Sequence, residues 1–251
     1  MLLTIDVGNT STACAVFRGN AIVHHGSLPT PKKWAPRHFS VLLPAALAKK
    51  TSAVIISSVV PAVDRSLAAN IKKQTGVRAI YLDHKTPTGI RLQIDKPYEL
   101  GADRIADCAG ALSLFPPPLI IIDSGTATTF DLLNARREYC GGCIFPGIGI
   151  AIKSLAENTA KLKTIAFAVP RSPVGTNTAD SIRAGVYFGY IGALQHLIAC
   201  YRKILGPKST VVATGGLSRY FKGRVPGIDI FVLDLLFLGL KSIWEQQGQE
   251  R

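Results

Sequence analysis

The feature of this sequence that most constrains its fold is a short motif that occurs twice. Segment 3–10 reads Leu-Thr-Ile-Asp-Val-Gly-Asn-Thr, and segment 121–129 reads Ile-Ile-Asp-Ser-Gly-Thr-Ala-Thr-Thr. In both segments an apolar run ends in an aspartate, a glycine follows two residues later, and small hydroxyl or amide side chains come next. A buried strand that carries a carboxylate and a tight glycine turn at its end is typical of a phosphate site. One such motif is common by chance, but two indicate a duplicated nucleotide-binding fold.

The order of predicted elements after the two motifs is the same. Each half begins with a three-strand meander and continues with alternating helices and strands. In the first half, the apolar pattern predicts strands at 2–6, 12–18, 21–27, 53–58 and 79–82, and helices at 39–50, 62–75 and 101–113. In the second half, it predicts strands at 119–123, 128–134, 139–145 and 210–213, and helices at 147–160, 179–201 and 241–246.

Consecutive prolines separate the two halves. Segment 115–118 reads Phe-Pro-Pro-Pro, and proline lacks a backbone donor and disfavours helix in the residue before it. We therefore expect a first domain at 1–115 and a second at 116–251. The repeated order predicts an α/β fold of duplicated domains, each with a three-strand meander plus parallel strands and helices, around a nucleotide cleft.

The composition limits the class of protein. Hydrophobic residues make up 47% of the 251 positions, which is enough for a substantial core. No stretch approaches the ~18 uninterrupted apolar residues of a membrane span, and no basic leader precedes the first apolar run. The five cysteines are scattered, as in a reduced protein. We expect a cytoplasmic location and no membrane partner.

The net charge of +13 suggests an anionic partner. Basic residues occur singly or in pairs, such as Lys32-Lys33 and Arg136-Arg137, and form no long run. This pattern favours a basic surface that attracts small anionic substrates, and no specific nucleic acid is expected. A catalytically silent relative that regulates or binds nucleic acid stays open as an alternative.

Five blocks, in order along the chain, resemble the type III pantothenate kinases. This family belongs to the actin-like (ribonuclease H-like) ATPase and sugar-kinase superfamily. The most specific block is Gly-Ala-Asp-Arg at 101–104, which the wider superfamily does not share. The other four blocks lie at 6–10, at 123–129, at 141–147 and at 177–182. The resemblance spans almost the whole chain.

The resemblance implies a reaction and its requirements. A protein of this family transfers a phosphoryl group from ATP to pantothenate and forms 4′-phosphopantothenate, in the first step of coenzyme A synthesis. It uses Mg²⁺ and a monovalent cation, K⁺ or NH₄⁺. It is expected to be a homodimer with the active site near the subunit interface.

The resemblance also implies roles for individual residues. Asp103 would be the general base, Asp6 would hold Mg²⁺ with the phosphates, and Asp123 would bind the monovalent cation. The residues implied to bind ATP are Asp6, Val7, Gly8, Asn9, Thr10, Ser11, Thr12, Ala13 and Thr126. The residues implied to bind the substrate are Gly101, Ala102, Asp103, Arg104, Thr178 and, at the place of a family tyrosine, Ile94.

The residue types suit these roles. Phosphoryl transfer depends on positioning and on neutralising charge, and a carboxylate can accept the proton of the attacking hydroxyl. The guanidinium fork of Arg104 suits the carboxylate of pantothenate. Taken alone, Asp103 and Arg104 favour an exposed ion pair at the start of a helix over a catalytic site. Within the five ordered blocks, the catalytic interpretation is favoured instead.

Two positions depart from the family pattern. Seven residues before Gly101 the family usually has a tyrosine that lines the pantothenate site, where this chain has Ile94. The asparagine common before the next proline is Lys96 here. The missing hydroxyl removes a substrate hydrogen bond worth about 0.5–1.5 kcal/mol, which Tyr98 is close enough in sequence to replace. A kinase of the same fold for another small hydroxy substrate therefore stays open.

Overall fold

The computed structural model describes residues 1–158 and 165–249, and these residues form two compact units. The first unit contains Met1–Leu114 and the segment from Asp234 onward, and the second contains Phe115–Leu233. The sequence placed the last segment in the second domain, whereas it groups with the first unit. Among the described residues, no helix has both the length and the apolar character that a bilayer span requires.

Most strands and helices follow the expected order, but β6 and β11 were not predicted, and α7 begins six residues before the predicted 241–246. The strands are β1 (Leu2–Val7), β2 (Ser11–Arg18), β3 (Ala21–Pro29), β4 (Ala53–Ser58), β5 (Ile80–Tyr81), β6 (Arg91–Leu92), β7 (Leu119–Ser124), β8 (Ala127–Leu133), β9 (Glu138–Pro146), β10 (Thr210–Thr214) and β11 (Ile230–Phe231). The helices are α1 (Pro36–Leu42), α2 (Ala45–Ala48), α3 (Pro61–Thr75), α4 (Ala102–Leu114), α5 (Ile148–Glu157), α6 (Thr178–Leu205) and α7 (Leu235–Gln249). The expected helix over 147–160 ends at Glu157, and Ala160 lies outside the described residues.

The sheet of the first unit has the order β3-β2-β1-β4-β5. The β1–β2 and β2–β3 pairs are antiparallel, and the β1–β4 and β4–β5 pairs are parallel. Helices cover both faces. Side chains of α1 and α3 pack on one face together with Leu3 and Ile5, and side chains of α4 and α7 pack on the other with Leu2 and Ile55.

The second unit repeats this arrangement. Its strands have the order β11-β10-β7-β8-β9, and its pairs correspond one by one: β7–β8 and β8–β9 are antiparallel, while β7–β10 and β10–β11 are parallel. The central strands β1 and β7 even share a burial pattern, in which only the aspartate in the fifth position is half exposed. The predicted duplication is therefore confirmed at the level of topology.

The helix predicted over 39–50 is wrong as a single element. The structure has the two short helices α1 and α2, with Leu43 in an extended conformation between them. The cause is Pro44, because proline disfavours helical geometry in the residue before it and provides no backbone donor. This sequence signal was present but was outweighed by the apolar spacing.

The terminal helix α7 belongs to the first unit because it packs closely on α4. A Cβ atom added to Gly110 would overlap the Leu235 carbonyl, and one added to Gly239 would overlap the Ala106 carbonyl. The two glycines thus let the helix backbones approach each other. Through this packing the last residues of the chain become part of the first unit.

Candidate active site

The first candidate residue, Asp6, lies near the end of β1 beside the parallel strand β4. In the β1–β4 register Asp6 is paired with Ser57, whose hydroxyl donates a hydrogen bond of 3.1 Å to Asp6 Oδ1. Because parallel strands end at one edge of a sheet, the residues that follow β1 and β4 also lie side by side. Val59 N donates a hydrogen bond of 3.1 Å to Val7 O.

The turn after Asp6 is tight and is held by hydroxyl groups. Gly8 N donates to Ser11 O at 3.0 Å, and a Cβ atom on Gly8 would lie 3.1 Å from that oxygen. The Thr30 hydroxyl donates to Gly8 O at 2.6 Å, and it lies 3.0 Å from the Thr12 hydroxyl. Thr30 therefore supports the turn, although the sequence did not single it out.

The exposed part of this turn presents small polar groups. Asn9, Thr10 and Ser11 are exposed, whereas the Val7 and Thr12 side chains are buried. Ala13 is half-buried on β2. Among the predicted ATP-binding residues 6–13, the exposed side chains are suited to contact a ligand. The buried side chains stabilise the turn instead.

Asp103 lies in the first turn of α4 and is half-buried. Its Oδ1 accepts a hydrogen bond of 2.8 Å from the Arg104 backbone N–H. A side chain at Gly101 would overlap this carboxylate. Burial raises the pKa of Asp103 above its ordinary value, and the backbone N–H and charge of Arg104 oppose that rise only in part.

Asp103 lies at the same edge of the first unit as the Asp6 turn. Val59 connects the two regions: its Cγ1 lies 3.5 Å from the Cβ position of Gly101, while its backbone N–H binds Val7 O. Val59 thus contacts both the strand end that carries Asp6 and the start of α4, which carries Asp103 about a hundred residues later in the sequence. Ala102 is buried, and Arg104 is half-buried.

In the second unit, Asp123 occupies the position on β7 that Asp6 occupies on β1. It pairs with Thr214 of the parallel strand β10, and the loop after β10 packs directly on its carboxylate. A Cβ atom on Gly215 would overlap Asp123 Oδ1 and lie 2.6 Å from Ser124 O. Gly215 has a φ of +87°, which L side chains rarely adopt. Leu217 N completes the contact by donating to Ser124 O at 3.0 Å.

The turn that follows Asp123 places Thr126 at the surface. Gly125 N donates to Ala127 O at 3.0 Å, and Thr126 is exposed. Gly147, the residue before α5, packs against this turn, since a Cβ there would lie 2.5 Å from both the Gly125 and the Thr126 carbonyl oxygens. The Asp123 turn is thus enclosed by backbone on two sides.

A buried tyrosine of α6 supports the Asp123 turn. The Tyr190 hydroxyl of α6 donates to Ser124 Oγ at 3.3 Å and also hydrogen-bonds to the Thr128 hydroxyl. Burial raises the pKa of Tyr190, and the negative charge of Asp123 adds to that rise. Its apolar neighbours along α6 gave no indication of this role.

The remaining predicted substrate-binding residues, Ile94 and Thr178, lie outside the two aspartate turns and the start of α4. Ile94 is half-buried in the first unit, and the nearby Tyr98 is 65% exposed in the turn Pro97–Glu99, with its ring edge-on to His84. Thr178 is exposed as the first residue of α6. The helix starts there because the Asn177 side chain accepts a hydrogen bond of 3.0 Å from Asp180 N.

Comparison with known proteins connects this arrangement to a family. The family model described as type III pantothenate kinase matches residues 2–200. The type III pantothenate kinase of Phenylobacterium zucineum is 38% identical over 252 aligned positions, which cover 98% of each chain. The chain belongs to the type III pantothenate kinase family. The predicted family is thereby confirmed, and with it an enzyme that transfers a phosphoryl group to pantothenate in coenzyme A biosynthesis.

Solved structures of more distant proteins confirm the fold. Component A of (R)-2-hydroxyglutaryl-CoA dehydratase from Acidaminococcus fermentans aligns with a TM-score of 0.57 and 14% identity, over 100% of this chain and 99% of that one. MreB 5 of Spiroplasma citri, solved with AMPPNP, aligns with a TM-score of 0.55 and 12% identity, over 99% and 97% of the chains. Together with the two mixed sheets, these likenesses confirm the predicted actin-like α/β fold.

Proposed function

We propose that this type III pantothenate kinase uses Asp103 as the general base that activates the pantothenate hydroxyl for attack on ATP. The observation that carries the proposal is the position of this half-buried carboxylate in the first turn of α4, where Val59 links Gly101 to the end of β1. Burial also raises the pKa of Asp103. A base with a raised pKa binds a proton more strongly, which favours proton transfer from the hydroxyl as the bond to phosphorus forms. The contact with the Arg104 N–H holds the carboxylate in one orientation.

The Asp6 turn is proposed to bind the ATP phosphates. Its exposed Asn9, Thr10 and Ser11 side chains offer amide and hydroxyl donors, and such donors suit phosphate oxygens. Mg²⁺ usually takes one or two protein carboxylates and completes its octahedron with phosphates and water. Asp6 fits that donor set, and the ion would supply charge neutralisation at the phosphates.

The Asp123 turn is proposed to hold the monovalent cation, K⁺ or NH₄⁺. The neighbours of this carboxylate fit such a group, because the same turn carries several oxygen donors: the Ser124 carbonyl oxygen lies with the carboxylate beside Gly215, and the Gly125 and Thr126 carbonyl oxygens lie beside Gly147. Oxygen donors without a strict geometry suit a large hard cation. The exposed Thr126 beside it is proposed to contact ATP.

The substrate-binding segment is proposed to be the start of α4. Gly101 and Ala102 offer backbone groups, while the Arg104 guanidinium suits the pantothenate carboxylate. Ile94 brings an apolar contact in place of a family tyrosine hydroxyl. This substitution is the observation that favours the second candidate, a kinase of the same fold for another small hydroxy substrate.

We also propose a homodimer in which α6 contributes to the subunit interface. The face of α6 with Gly185, Gly189 and Gly192 is exposed and has no atoms within 4 Å of the Cβ positions. Thr178, at the start of the same helix, would then reach the substrate of the partner. Because ATP is made and used inside the cell, we place the reaction in the cytoplasm.

The test is an assay of the purified protein with ATP, Mg²⁺ and K⁺, in which phosphopantothenate is followed directly. We expect product only when pantothenate is present. Parallel assays with other small hydroxy acids separate the two candidates, since a higher kcat/KM for one of them would contradict pantothenate as the substrate.

The proposed role of Asp123 has its own test. Asp123→Ala should reduce the stimulation of turnover by K⁺, because the carboxylate is the only charged ligand proposed for that cation. An unchanged response to K⁺ in a folded variant would exclude this role.

A further inference from the structure

A chain of three hydroxyl groups lies beneath the Asp123 turn. Ser124 and Thr128 face each other across the antiparallel β7–β8 pair, and the Tyr190 hydroxyl reaches both of them from α6. Ser124, Thr128 and Tyr190 are all buried, at 2%, 0% and 6% exposure. In a buried site such polar groups act as a unit, because losing one partner leaves another unsatisfied.

The Tyr190 hydroxyl donates to Ser124 Oγ. It is also hydrogen-bonded to the Thr128 hydroxyl, and either group can be the donor in that bond. Ser124 is left with its own proton to donate, one residue after Asp123.

The ring of Tyr190 is held from two sides. It stacks on Phe221 with ring centroids 4.7 Å apart and packs on Phe145 at 5.3 Å. Phe221 follows the loop that contains Gly215, and Phe145 lies on β9, two residues before Gly147. Tyr190 thus contacts the segments that carry both glycines packed around the Asp123 turn.

From these contacts we infer that Tyr190 is a positioning residue that orients the Asp123 turn through its hydrogen bond to Ser124. The inference rests on the proposed role of that turn in holding the monovalent cation and contacting ATP. It adds that α6, with Thr178 at its start, is mechanically linked to the cation site. A change in the position of α6 would then change the affinity of the site for its cation.

The direct test is Tyr190→Phe, which removes the hydroxyl and keeps the stacked ring. We expect the half-saturating K⁺ concentration to rise about tenfold, in the range of one lost hydrogen bond, while the KM for pantothenate stays unchanged. An unchanged K⁺ response in the folded variant would overturn the inference.

Tyr187→Phe is the matched control. Tyr187 is also buried on α6, its ring also stacks on Phe221, and its hydroxyl donates to a backbone carbonyl, Tyr220 O, at 3.0 Å. A purely structural role for both hydroxyls predicts similar losses of stability and the same K⁺ response in both variants. We expect similar losses of stability, but a changed K⁺ response only in Tyr190→Phe.

A double-mutant cycle with Ser124→Ala tests the route of the effect. If Tyr190 acts through Ser124, adding Tyr190→Phe to Ser124→Ala should change the K⁺ response less than about twofold, since coupled residues are not additive. Full additivity would contradict the inference.

The wild-type enzyme tests the proposed cation role of Asp123 separately from the role of Tyr190. If the wild-type enzyme does not respond to K⁺, the cation role of Asp123 is wrong. The two tyrosine variants are then compared by kcat/KM for ATP, which the same turn contacts through Thr126. A decrease confined to Tyr190→Phe would still support positioning, and equal values would overturn it.

Discussion

The turn after β1 and the turn after β7 follow strands with the same burial pattern and equivalent sheet neighbours, yet different groups hold them. In the first unit, the Asp6 turn is held by the Ser57 and Thr30 hydroxyls. In the second, the Asp123 turn is enclosed by the backbone at Gly147 and Gly215 and supported by the buried Tyr190.

This difference suggests a division of roles within a duplicated fold. A turn held by a few hydroxyl groups, with three exposed polar residues at its tip, can adjust around a nucleotide that must bind and leave. A turn packed between backbone segments has little freedom, and fixed oxygen atoms suit a cation whose site must not change during the reaction. Asp103, the proposed general base, lies in the same unit as the first of these turns.

Among substitutions that test this division of roles, the largest expected effect is on kcat, from a change at Asp103 in the first unit. Asp103→Asn keeps the size of the side chain and removes the base, so kcat should fall by about 10²–10⁴-fold. ATP binding should persist, because the Asp6 turn is intact. Steady-state kinetics with a nucleotide-binding measurement check both statements, and near-normal turnover would exclude Asp103 as the base.

The next effect concerns the enclosed turn of the second unit. Gly215→Ala places a Cβ against the Asp123 carboxylate at a φ of +87°, so it should lower the free energy of unfolding by about 1–3 kcal/mol. It should also weaken the K⁺ response. Denaturant titration and K⁺ titration of turnover measure the two effects.

Gly216→Ala is the control for this substitution. Gly216 is exposed, and its added Cβ would meet nothing within 4 Å. Its effect on stability should stay within about 0.5 kcal/mol. Equal effects at both glycines would mean that packing on Asp123 is unimportant.

A smaller effect is expected at the glycine of the Asp6 turn in the first unit. In Gly8→Ala the added Cβ would lie 3.1 Å from Ser11 O, a tight contact that a small shift relieves. The KM for ATP should rise about fivefold, the effect of roughly one weakened hydrogen bond. An unchanged KM for ATP, measured by varying ATP at saturating pantothenate, would argue against phosphate binding at this turn.

The smallest effect is on the pH dependence of stability. A carboxylate whose pKa is raised in the folded state contributes stability below its unfolded pKa and loses that contribution as the pH rises through the folded pKa. An asparagine side chain does not ionise, so the Asp103→Asn variant does not lose stability in this way as the pH rises. The variant should therefore gain stability relative to wild type between acid and neutral pH, as thermal unfolding at several pH values would measure. A constant difference across that range would contradict the raised pKa.

The central strands and the two aspartate turns could be predicted from sequence because their determinants are local. An apolar run that ends in Asp-x-Gly indicates both a buried strand and the turn after it. The place of α7 could not be predicted in this way, since it depends on the complementary glycines Gly110 and Gly239, which are far apart in sequence. Pro44 was a local signal that the prediction of a single helix ignored.

Within the candidate site, the sequence singled out the charged residues but not the buried or half-buried hydroxyl groups that stabilise their turns. Asp6, Asp103 and Asp123 follow from motifs that carry chemistry. In the sequence, Thr30 and Tyr190 look like an ordinary strand-end residue and an ordinary core residue. Their hydrogen bonds to Gly8 O and Ser124 Oγ are seen only in the structure.

The most direct test of the division between the two turns is to titrate K⁺ and ATP side by side with Gly8→Ala and Gly215→Ala. The account predicts that Gly8→Ala raises the KM for ATP and leaves the half-saturating K⁺ concentration unchanged, whereas Gly215→Ala raises the half-saturating K⁺ concentration more than the KM for ATP. If both variants change the two constants in the same proportion, the two turns do not have separate roles and the account is wrong.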